Sequence, residues 1–556
     1  MNSARPQFVW KLLPSLRDFA FLMPIAFLFG KLNGAGTLLF CGDTGWHIRA
    51  GEWILKNRAV PTTDLFSFSK PGQPWFAWEW LCDVLWAWLN AHGGLASIVA
   101  FCTVLLALTF GIVYRLAAKR SNPVVALVVT MIAAACSSLH WLARPHLFTL
   151  LFAVVFYAIL ERVREGRSRM LGVPALALLP LMMIPWTNLH GGFFVGVLMV
   201  GAYAAGELAR MALASSREAR SQALRAARPY MLACFGCLAA TLVNPYFLKL
   251  HVHVIQYLGD PFQAQYIAEF QSLSFHHPMA LFFELFFLLA VGAAFWYAGK
   301  RSFVEPILIL VFAHGALQAS RNMALFAIAA APPISWALQQ WIERLAQSNA
   351  GLIRTAADKL NALGARAAES EAYPRWRLAS AAGVAVVIAL VFAPNPPEKF
   401  RSRFDPERFP VKAVDTLARD ASARILSHDQ WGDYLIYRLY PNNRVFLDGR
   451  TDFYGSEFEE QTFDVQRVKY GWENTLDRYS INTILIPPDF PLSEALKKSS
   501  DWRVAYDDGR ALIFRKTDSG NQQFPAANRG GGTGRDREIT KTQARGLSIT
   551  QHKTTT

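Results

Sequence analysis

Apolar residues occur in long runs along most of the chain, separated by short polar segments. Runs of about 15–25 apolar residues have the length of a helix that crosses the hydrocarbon core of a bilayer. Such runs predict about eleven membrane-spanning helices, at 19–40, 95–114, 122–138, 147–160, 171–186, 192–208, 229–243, 278–297, 303–318, 323–341 and 378–393. The pattern therefore predicts a polytopic α-helical membrane domain over residues 1–393, with a first external loop at 41–94 that contains amphipathic helices.

The pattern changes after residue 393. The segment 394–410 is rich in proline and charged residues, which is typical of a linker. From 411 to 516, short β-branched or apolar runs at 423–426, 444–447, 482–486 and 511–514 alternate with helical patterns such as 456–470. This alternation predicts a small α/β domain. The tail, 517–556, has few apolar residues and is predicted to be disordered.

Composition supports the membrane interpretation. Hydrophobic residues make up 53% of the chain and charged residues only 17%, whereas soluble domains carry about 25% charge. The net charge of +15 does not indicate a nucleic-acid partner, because the basic residues concentrate in short loops between apolar runs. With the N-terminus inside, the inward segments carry 23 basic residues and the outward segments up to the last helix carry 7. This bias predicts the orientation, and an odd number of helices then places the α/β domain outside the cytoplasm.

Unusual polar residues fall at the outer ends of the predicted helices, whereas no comparable set of acids and histidines is evident at the inner ends. Each one alone also fits an ordinary loop residue. As a set they predict a polar cavity that opens outward, because polar groups at membrane depth are costly and usually line wet sites. The set consists of Asp43, His47, Glu79, Asp83, Arg144, His146, Asn188, His190, Asn244, Glu269 and Arg321.

The first external loop holds seven of the 17 tryptophans, which favours an aromatic belt over sugar stacking. Asp43 or Thr44 can cap a short helix with one apolar face, and we expect that helix to lie in the membrane interface. The pattern leaves open whether Cys41 and Cys82, which flank part of this loop, form a disulfide.

Several motifs resemble those of the GT-C glycosyltransferase superfamily, and more narrowly bacterial GT-C-like membrane proteins. They are D-T-G-W-H-I-R-A-G (43–51), P-T-T-D-L-F-S (61–67), W-E-W-L (78–81), R-P-H-L-F-T (144–149), N-L-H-G-G-F-F (188–194), R-N-M-A-L-F (321–326), Q-W-G-D-Y-L (430–435) and R-V-F-L-D-G-R-T-D-F-Y-G (444–455). The resemblance covers about residues 19–516. It implies a multi-pass protein of the bacterial inner (plasma) membrane, with a cytoplasmic N-terminus and a periplasmic C-terminal domain.

The resemblance also implies a reaction. Such enzymes transfer a sugar from a polyprenyl-phosphate donor, usually with inversion, and Asp43 matches the position of their catalytic base. Glu79 is the alternative base or a metal ligand, and Arg144, His190 and Arg321 are available to meet the leaving phosphate. The remaining predicted substrate-binding residues are His47, His146, Asn188, Asn244 and Glu269. Some members of the superfamily need a divalent cation (Mg or Mn), and the sequence does not specify a metal site. The acceptor can be a glycan, a lipid or a protein.

Other interpretations remain open. A transporter or flippase is one alternative, but it should show polar residues through the bilayer midplane. A non-catalytic protein of envelope assembly is another. The W-G-D-Y segment at 431–434 is similar to the W-W-D-Y-G signature of oligosaccharyltransferases with the glycine displaced and one tryptophan missing, so peptide binding is not carried over. We expect it to be a helix start beneath a small sheet, and we expect Asp448, Arg450 and Asp452 to be a turn-stabilising cluster rather than a second site.

Overall fold

The computed structural model describes residues 10–349 and 351–517. Helices follow one another along the N-terminal part, and each of the eleven apolar runs contains one. Their bounds are Leu16–Ala26 (α1), Ala35–Leu38 (α2), Asp43–Asn57 (α3), Trp80–Ala117 (α4), Pro123–Ser137 (α5), His146–Arg164 (α6), Leu178–Leu189 (α7), Phe194–Ala212 (α8), Arg217–Ala240 (α9), Leu248–Gly259 (α10), Pro261–Tyr266 (α11), Ala280–Gly299 (α12), Val304–Gln318 (α13), Met323–Leu345 (α14), Gly351–Ala372 (α15) and Leu378–Val391 (α16). A π-helical turn, Phe27–Lys31, continues α1.

Six helices in the described part are long and apolar enough to cross a membrane. They are Trp10–Lys31, Trp80–Ala117, Pro123–His140, His146–Arg164, Gly191–Ala212 and Ala280–Gly299. Three shorter apolar helices are Ala175–Leu189, Val304–Gln318 and Leu378–Val391. A multi-pass helical membrane protein is therefore supported by helix length and composition, while the total of eleven crossings and their orientation stay predictions.

The C-terminal part contains a small sheet flanked by helices. Strands Ile425–Leu426 (β3), Thr483–Ile486 (β4), Trp502–Asp507 (β5) and Leu512–Lys516 (β6) form a sheet of order β3-β4-β6-β5, and an earlier hairpin pairs Arg169–Met170 (β1) with Val173–Pro174 (β2). Only β3 and β4 are parallel. The helices are Val411–Leu417 (α17), Asp429–Leu439 (α18), Thr451–Tyr454 (α19), Ser456–Gln466 (α20), Trp472–Arg478 (α21) and Pro491–Lys498 (α22). The predicted tail, 517–556, lies outside the described residues apart from Thr517.

The two parts pack together, and the described residues through Lys516 form one compact unit. The predicted linker, 394–410, takes part in this packing: Phe404 and Phe409 are buried, and the ring of Phe400 stacks on that of Phe29 at 4.3 Å. Apolar side chains in the linker therefore attach it to its surroundings.

Helix α3 is the element on which the C-terminal part rests; residues 411–516 are called the outer part below, after their predicted location. Trp46, Ala50 and Ile54 on its apolar face are buried, and protein covers this face where we expected lipid. A β-carbon at Gly45 would lie 2.7 Å from Tyr437 Cβ on α18, and one at Gly51 would lie 1.9 Å from the carbonyl oxygen of Asp83 on α4. These two glycines allow α3 to fit between α4 and α18, because any larger side chain would collide with a neighbour.

The first external loop is joined to the outer part by backbone hydrogen bonds and by a buried ion pair. Val445 donates to the Phe66 carbonyl and accepts from the Phe68 amide, each at 3.0 Å. The buried guanidinium of Arg450 bonds Asp448 at 2.7 Å and Asp64 at 2.8 Å. The predicted turn cluster at 448–452 is therefore in part a clamp between the outer part and the loop.

Buried acids also occur at the other ends of the helices, which corrects the expectation that only one face carries them. Glu161 accepts from Arg120 and from the Tyr203 hydroxyl, both at 2.6 Å, and Glu305 accepts from Arg164 at 2.7 Å. Each of these two carboxylates has a cationic partner, so the ion pairs stabilise the packing of the helices.

Candidate functional site

A cavity of about 480 Å³ lies where the helix ends meet the outer part. Six of the ten residues predicted to be catalytic or substrate-binding line it, because each stands at a helix end on the same side of the bundle: Asp43, Glu79, Arg144, His146, His190 and Arg321. The outer part contributes Gly449, Arg450 and Asp452 to the wall. The cavity is thus built jointly by both parts of the chain.

A row of alternating charges crosses the cavity. The Arg144 guanidinium lies 2.9 Å from Asp43 Oδ2 and 3.1 Å from Glu269 Oε2. Glu269 Oε1 in turn lies 3.2 Å from Arg321. Burial by itself would raise the pKa of the Glu269 carboxyl, but the charges of Arg144 and Arg321 hold that pKa well below its usual range. Glu269 therefore neutralises two arginines that are predicted to receive a phosphate.

Asp43 is the first residue of α3 and does not cap it, contrary to our expectation. Gly42 occupies the N-cap position, and no side chain caps the helix. The Asp43 carboxylate instead accepts from the Cys41 thiol at 2.9 Å and pairs with Arg144. Cys41 and Cys82 are both free thiols, so the disulfide that the sequence left open is not formed.

Glu79 lies between two histidines. Its carboxyl oxygens are 3.7 Å from His47 Nε2 and 3.5 Å from His190 Nε2. Burial raises the pKa of Glu79 to about 8 and lowers the pKa of both imidazoles well below its usual value. At neutral pH these contacts therefore join a carboxylic acid to two neutral rings, and they are not ion pairs.

Hydrogen bonds fix how both rings face Glu79. His47 Nδ1 lies 2.6 Å from Asp83 Oδ1. His190 Nδ1 accepts from the Gly192 amide at 3.0 Å, so its proton resides on Nε2, the nitrogen nearer Glu79. His47 is buried and is not part of the cavity wall, but it contacts two residues that are, Glu79 and Trp46.

The other predicted residues are placed differently. His146 lines the cavity, and its Nε2 lies 2.7 Å from the His140 carbonyl oxygen. Asn188 accepts from Trp80 Nε1 at 2.7 Å and donates to two backbone carbonyls. Among the described residues, Asn244 bonds only backbone groups of its own turn. The structure does not bring these two asparagines to the cavity wall.

Asp433 is a site residue that the sequence did not identify. It lies on α18, fully buried, and its Oδ1 accepts from the Gly449 amide at 2.8 Å. Its Oδ2 has no hydrogen-bond partner among the described residues. A β-carbon at Gly449 would lie 2.7 Å from this oxygen and 3.2 Å from Asp43 Oδ1. Burial, followed by the charges of Asp43 and Asp448, raises the pKa of Asp433 well above its usual value, so we describe it as a neutral acid beside Asp43.

A divalent cation at this site stays a prediction. Within residues 10–349 and 351–517, no three His, Cys, Asp or Glu side chains form a group that could hold a metal ion. The Arg144 guanidinium bonds both Asp43 and Glu269, and thus supplies the positive charge that a cation would bring to these carboxylates.

Comparisons with solved structures indicate the fold. AglB, an archaeal oligosaccharyltransferase from Archaeoglobus fulgidus in complex with an inhibitory peptide and a dolichol-phosphate, aligns with a TM-score of 0.52 and 12% identity over 90% of this chain and 74% of its own. An Archaeoglobus fulgidus oligosaccharyltransferase in complex with Zn and sulfate aligns at 0.50, with 13% identity over 90% and 73%. ArnT from Cupriavidus metallidurans, in the apo state, gives a TM-score of 0.47 and 14% identity over 94% of this chain and 100% of its own.

No family model and no curated protein sequence matches the chain. At identities this low, the likeness to AglB is one of fold. The resemblance to GT-C glycosyltransferases that the motifs indicated is confirmed at that level.

Proposed function

We propose that this chain is a membrane glycosyltransferase that takes a sugar from a polyprenyl-phosphate donor and passes it to an acceptor on the outer side of the membrane. The observation that carries the proposal is the charge row in the cavity, where a carboxylate, Asp43, stands next to two arginines, Arg144 and Arg321. Transfer from a lipid phosphate needs this combination, namely a proton acceptor for the nucleophile and positive charge for the leaving group.

Asp43 is the proposed base. Its carboxylate takes the proton of the acceptor hydroxyl or amide as the acceptor atom bonds the anomeric carbon of the sugar. The bond from that carbon to the phosphate oxygen breaks, and its electron pair leaves with the polyprenyl phosphate. Attack from the face opposite the leaving group inverts the anomeric centre.

Arg144 and Arg321 are the proposed phosphate ligands. Both are now paired with Glu269, so a phosphate group replaces this carboxylate when it binds. Two guanidinium groups can bind a phosphate through several charge-assisted hydrogen bonds. Glu269 is then the residue that keeps both arginines in place between turnovers.

Glu79 is proposed as a hydrogen-bond donor and not as the alternative base. With a pKa raised to about 8 it carries a proton at neutral pH. A carboxylic acid in the cavity can donate to the phosphate oxygen on which charge develops, whereas it cannot accept a proton from the acceptor. His190 and His47 flank its two oxygens at 3.5 and 3.7 Å.

The experiment is turnover of synthetic polyprenyl-phosphate sugars by the purified full-length chain, with an envelope extract as the source of acceptor. Asp43→Asn keeps the size of the side chain but removes the base, so we expect a loss of about 10²–10⁴ in rate with unchanged donor binding. Glu52→Gln is the matched control, because Glu52 lies on the same helix and pairs with Arg49 at the surface. Parent-like turnover by Asp43→Asn, or no turnover by the parent with any donor, would overturn the proposal.

A further inference from the structure

A second cavity of about 710 Å³ lies at the opposite ends of the helices that carry the candidate site. It is bounded by the last turns of α4 and α6 and by the β1–β2 hairpin. His146, in the candidate site, begins α6, and Arg162, in this second cavity, lies near its end. Since α6 has 19 residues, it is about 28 Å long, and the two sites lie at opposite ends of it.

Six basic side chains line this cavity: Arg17, Arg115, Lys119, Arg162, Arg167 and Arg169. Within residues 10–349 and 351–517, two carboxylates pair with them. Glu371 contacts Arg17, while Glu165 contacts both Lys119 and Arg167. The cavity therefore has four more cations than acids.

The other three cations have no carboxylate partner in the described part of the chain. Arg162 donates to the carbonyl of Arg169, and Arg169 donates to that of Gly172. The side chain of Arg115 forms no hydrogen bond or ion pair with any described residue. A general bias of basic residues toward one face of a membrane explains why these side chains are positively charged. It does not explain why they converge on one cavity without carboxylate partners.

The rest of the wall is apolar. Ile112 and Leu116 on α4 face the cavity together with Val155 and Ile159 on α6. Leu171, at the tip of the hairpin, is 84% exposed. A soluble anion needs the cations but not this apolar surface, whereas a lipid offers a phosphate and a hydrocarbon chain side by side.

We propose that this cavity binds the phosphate headgroup of an anionic membrane phospholipid, at the membrane face opposite the candidate active site. The headgroup contacts Arg115, Arg162 and Arg169, and an acyl chain runs along the apolar helix faces. Binding of the lipid neutralises the excess charge and joins the hairpin to α4 and α6. This inference does not depend on the proposed transferase activity.

The test is lipid binding by the full-length protein in detergent, followed by native mass spectrometry. The probes are dioleoyl-phosphatidylglycerol, dioleoyl-phosphatidylcholine and inorganic phosphate. We expect the anionic lipid to bind and the zwitterionic lipid and free phosphate to bind at least tenfold more weakly. Each cation near a membrane surface contributes roughly a fivefold gain in affinity, so Arg115→Gln, Arg162→Gln and Arg169→Gln together should weaken lipid binding about 100-fold.

Two further variants separate the possible outcomes. A matched triple variant, Arg217→Gln, Arg225→Gln and Arg228→Gln, removes the same charge from α9 residues that do not line this cavity, and it should keep parent affinity within about twofold. Leu171→Asn suits the left-handed backbone at this position (φ 52°) and should weaken binding of the lipid but not of phosphate.

Three results would overturn the proposal. They are equal losses in the two triple variants, equal binding of both lipids, and phosphate binding as tight as that of the anionic lipid. The last result would assign the cavity to a soluble anion instead.

Discussion

The protonation state of Glu79 gives a sharp test of the proposed site. Burial raises its pKa to about 8 from the ordinary value of 4.5. The shift corresponds to about 5 kcal/mol against ionisation in the folded protein, at about 1.4 kcal/mol per pH unit. At pH 7 the protonated form then outnumbers the ionised form roughly ten to one. If Glu79 acts as a donor, kcat/KM should fall about tenfold per pH unit above pH 8. Glu79→Gln, which keeps a donor, should lack this fall.

The assay is kcat/KM for a polyprenyl-phosphate sugar between pH 6 and 9.5, measured for the parent, Glu79→Gln and the surface control Glu52→Gln. The control should reproduce the parent profile. A rate that rises through pH 8 in the parent, together with an inactive Glu79→Gln, would make Glu79 a base and refute our assignment. An unchanged alkaline decline in Glu79→Gln would show that another group titrates.

The dependence of stability on pH distinguishes the expected loss of activity above pH 8 from unfolding at alkaline pH. Because the folded pKa of Glu79 is raised, the folded protein holds a proton that the unfolded chain has released between pH 4.5 and about 8. Glu79 therefore makes stability fall across that window and contributes no further change above it. Melting temperatures in detergent should decline more for the parent than for Glu79→Gln between pH 5 and 8, and the two declines should be parallel above pH 8.

Three more predictions concern Asp433, the Arg450 clamp and the orientation in the membrane. Asp433→Asn keeps a neutral hydrogen-bonding side chain and should retain transfer within about threefold, measured with the same assay, whereas a 100-fold loss would show that this acid ionises in order to act. Arg450→Leu leaves Asp64 as a buried carboxylate without its cationic partner and should destabilise the protein by about 3–5 kcal/mol, measured by denaturant unfolding, and an unchanged midpoint would contradict the clamp. Reporter fusions at Ser402 and Asp358 should report opposite sides of the membrane, and identical signals would remove the predicted orientation.

Much of the site could be predicted because helix ends carry the polar residues. Asp43, Arg144, His190 and Arg321 each follow or precede an apolar run, and a membrane bundle has only two faces at which such ends can meet. Topology alone therefore predicted that these side chains would share a face. The ion pairs between these side chains could not be predicted, because nothing in the sequence shows that Glu269 bonds both Arg144 and Arg321.

Features that depend on docking of the outer part could not be predicted. Asp433 is separated from Asp43 by 390 positions, and the two come close together because α18 packs on α3. The same reason explains why α3 was wrongly predicted to lie in the membrane interface. An amphipathic pattern does not specify whether lipid or protein covers the apolar face. Strand β5, Trp502–Asp507, was not predicted. Its larger apolar residues, Trp502, Val504 and Tyr506, stand at every second position, but only Trp502 is buried.

The two glycines of α3 have a consequence for protein engineering. Helix α3 lies between the membrane bundle and the outer part, and Gly45 and Gly51 set how closely the two approach it. Asp43 is the first residue of this helix. An outer part exchanged for one from another protein would seat at a different height unless its α18 offered the same close approach at Tyr437. A chimera should therefore keep the position of Asp43 only if residues 43–51 and the helix that contacts them are transferred together.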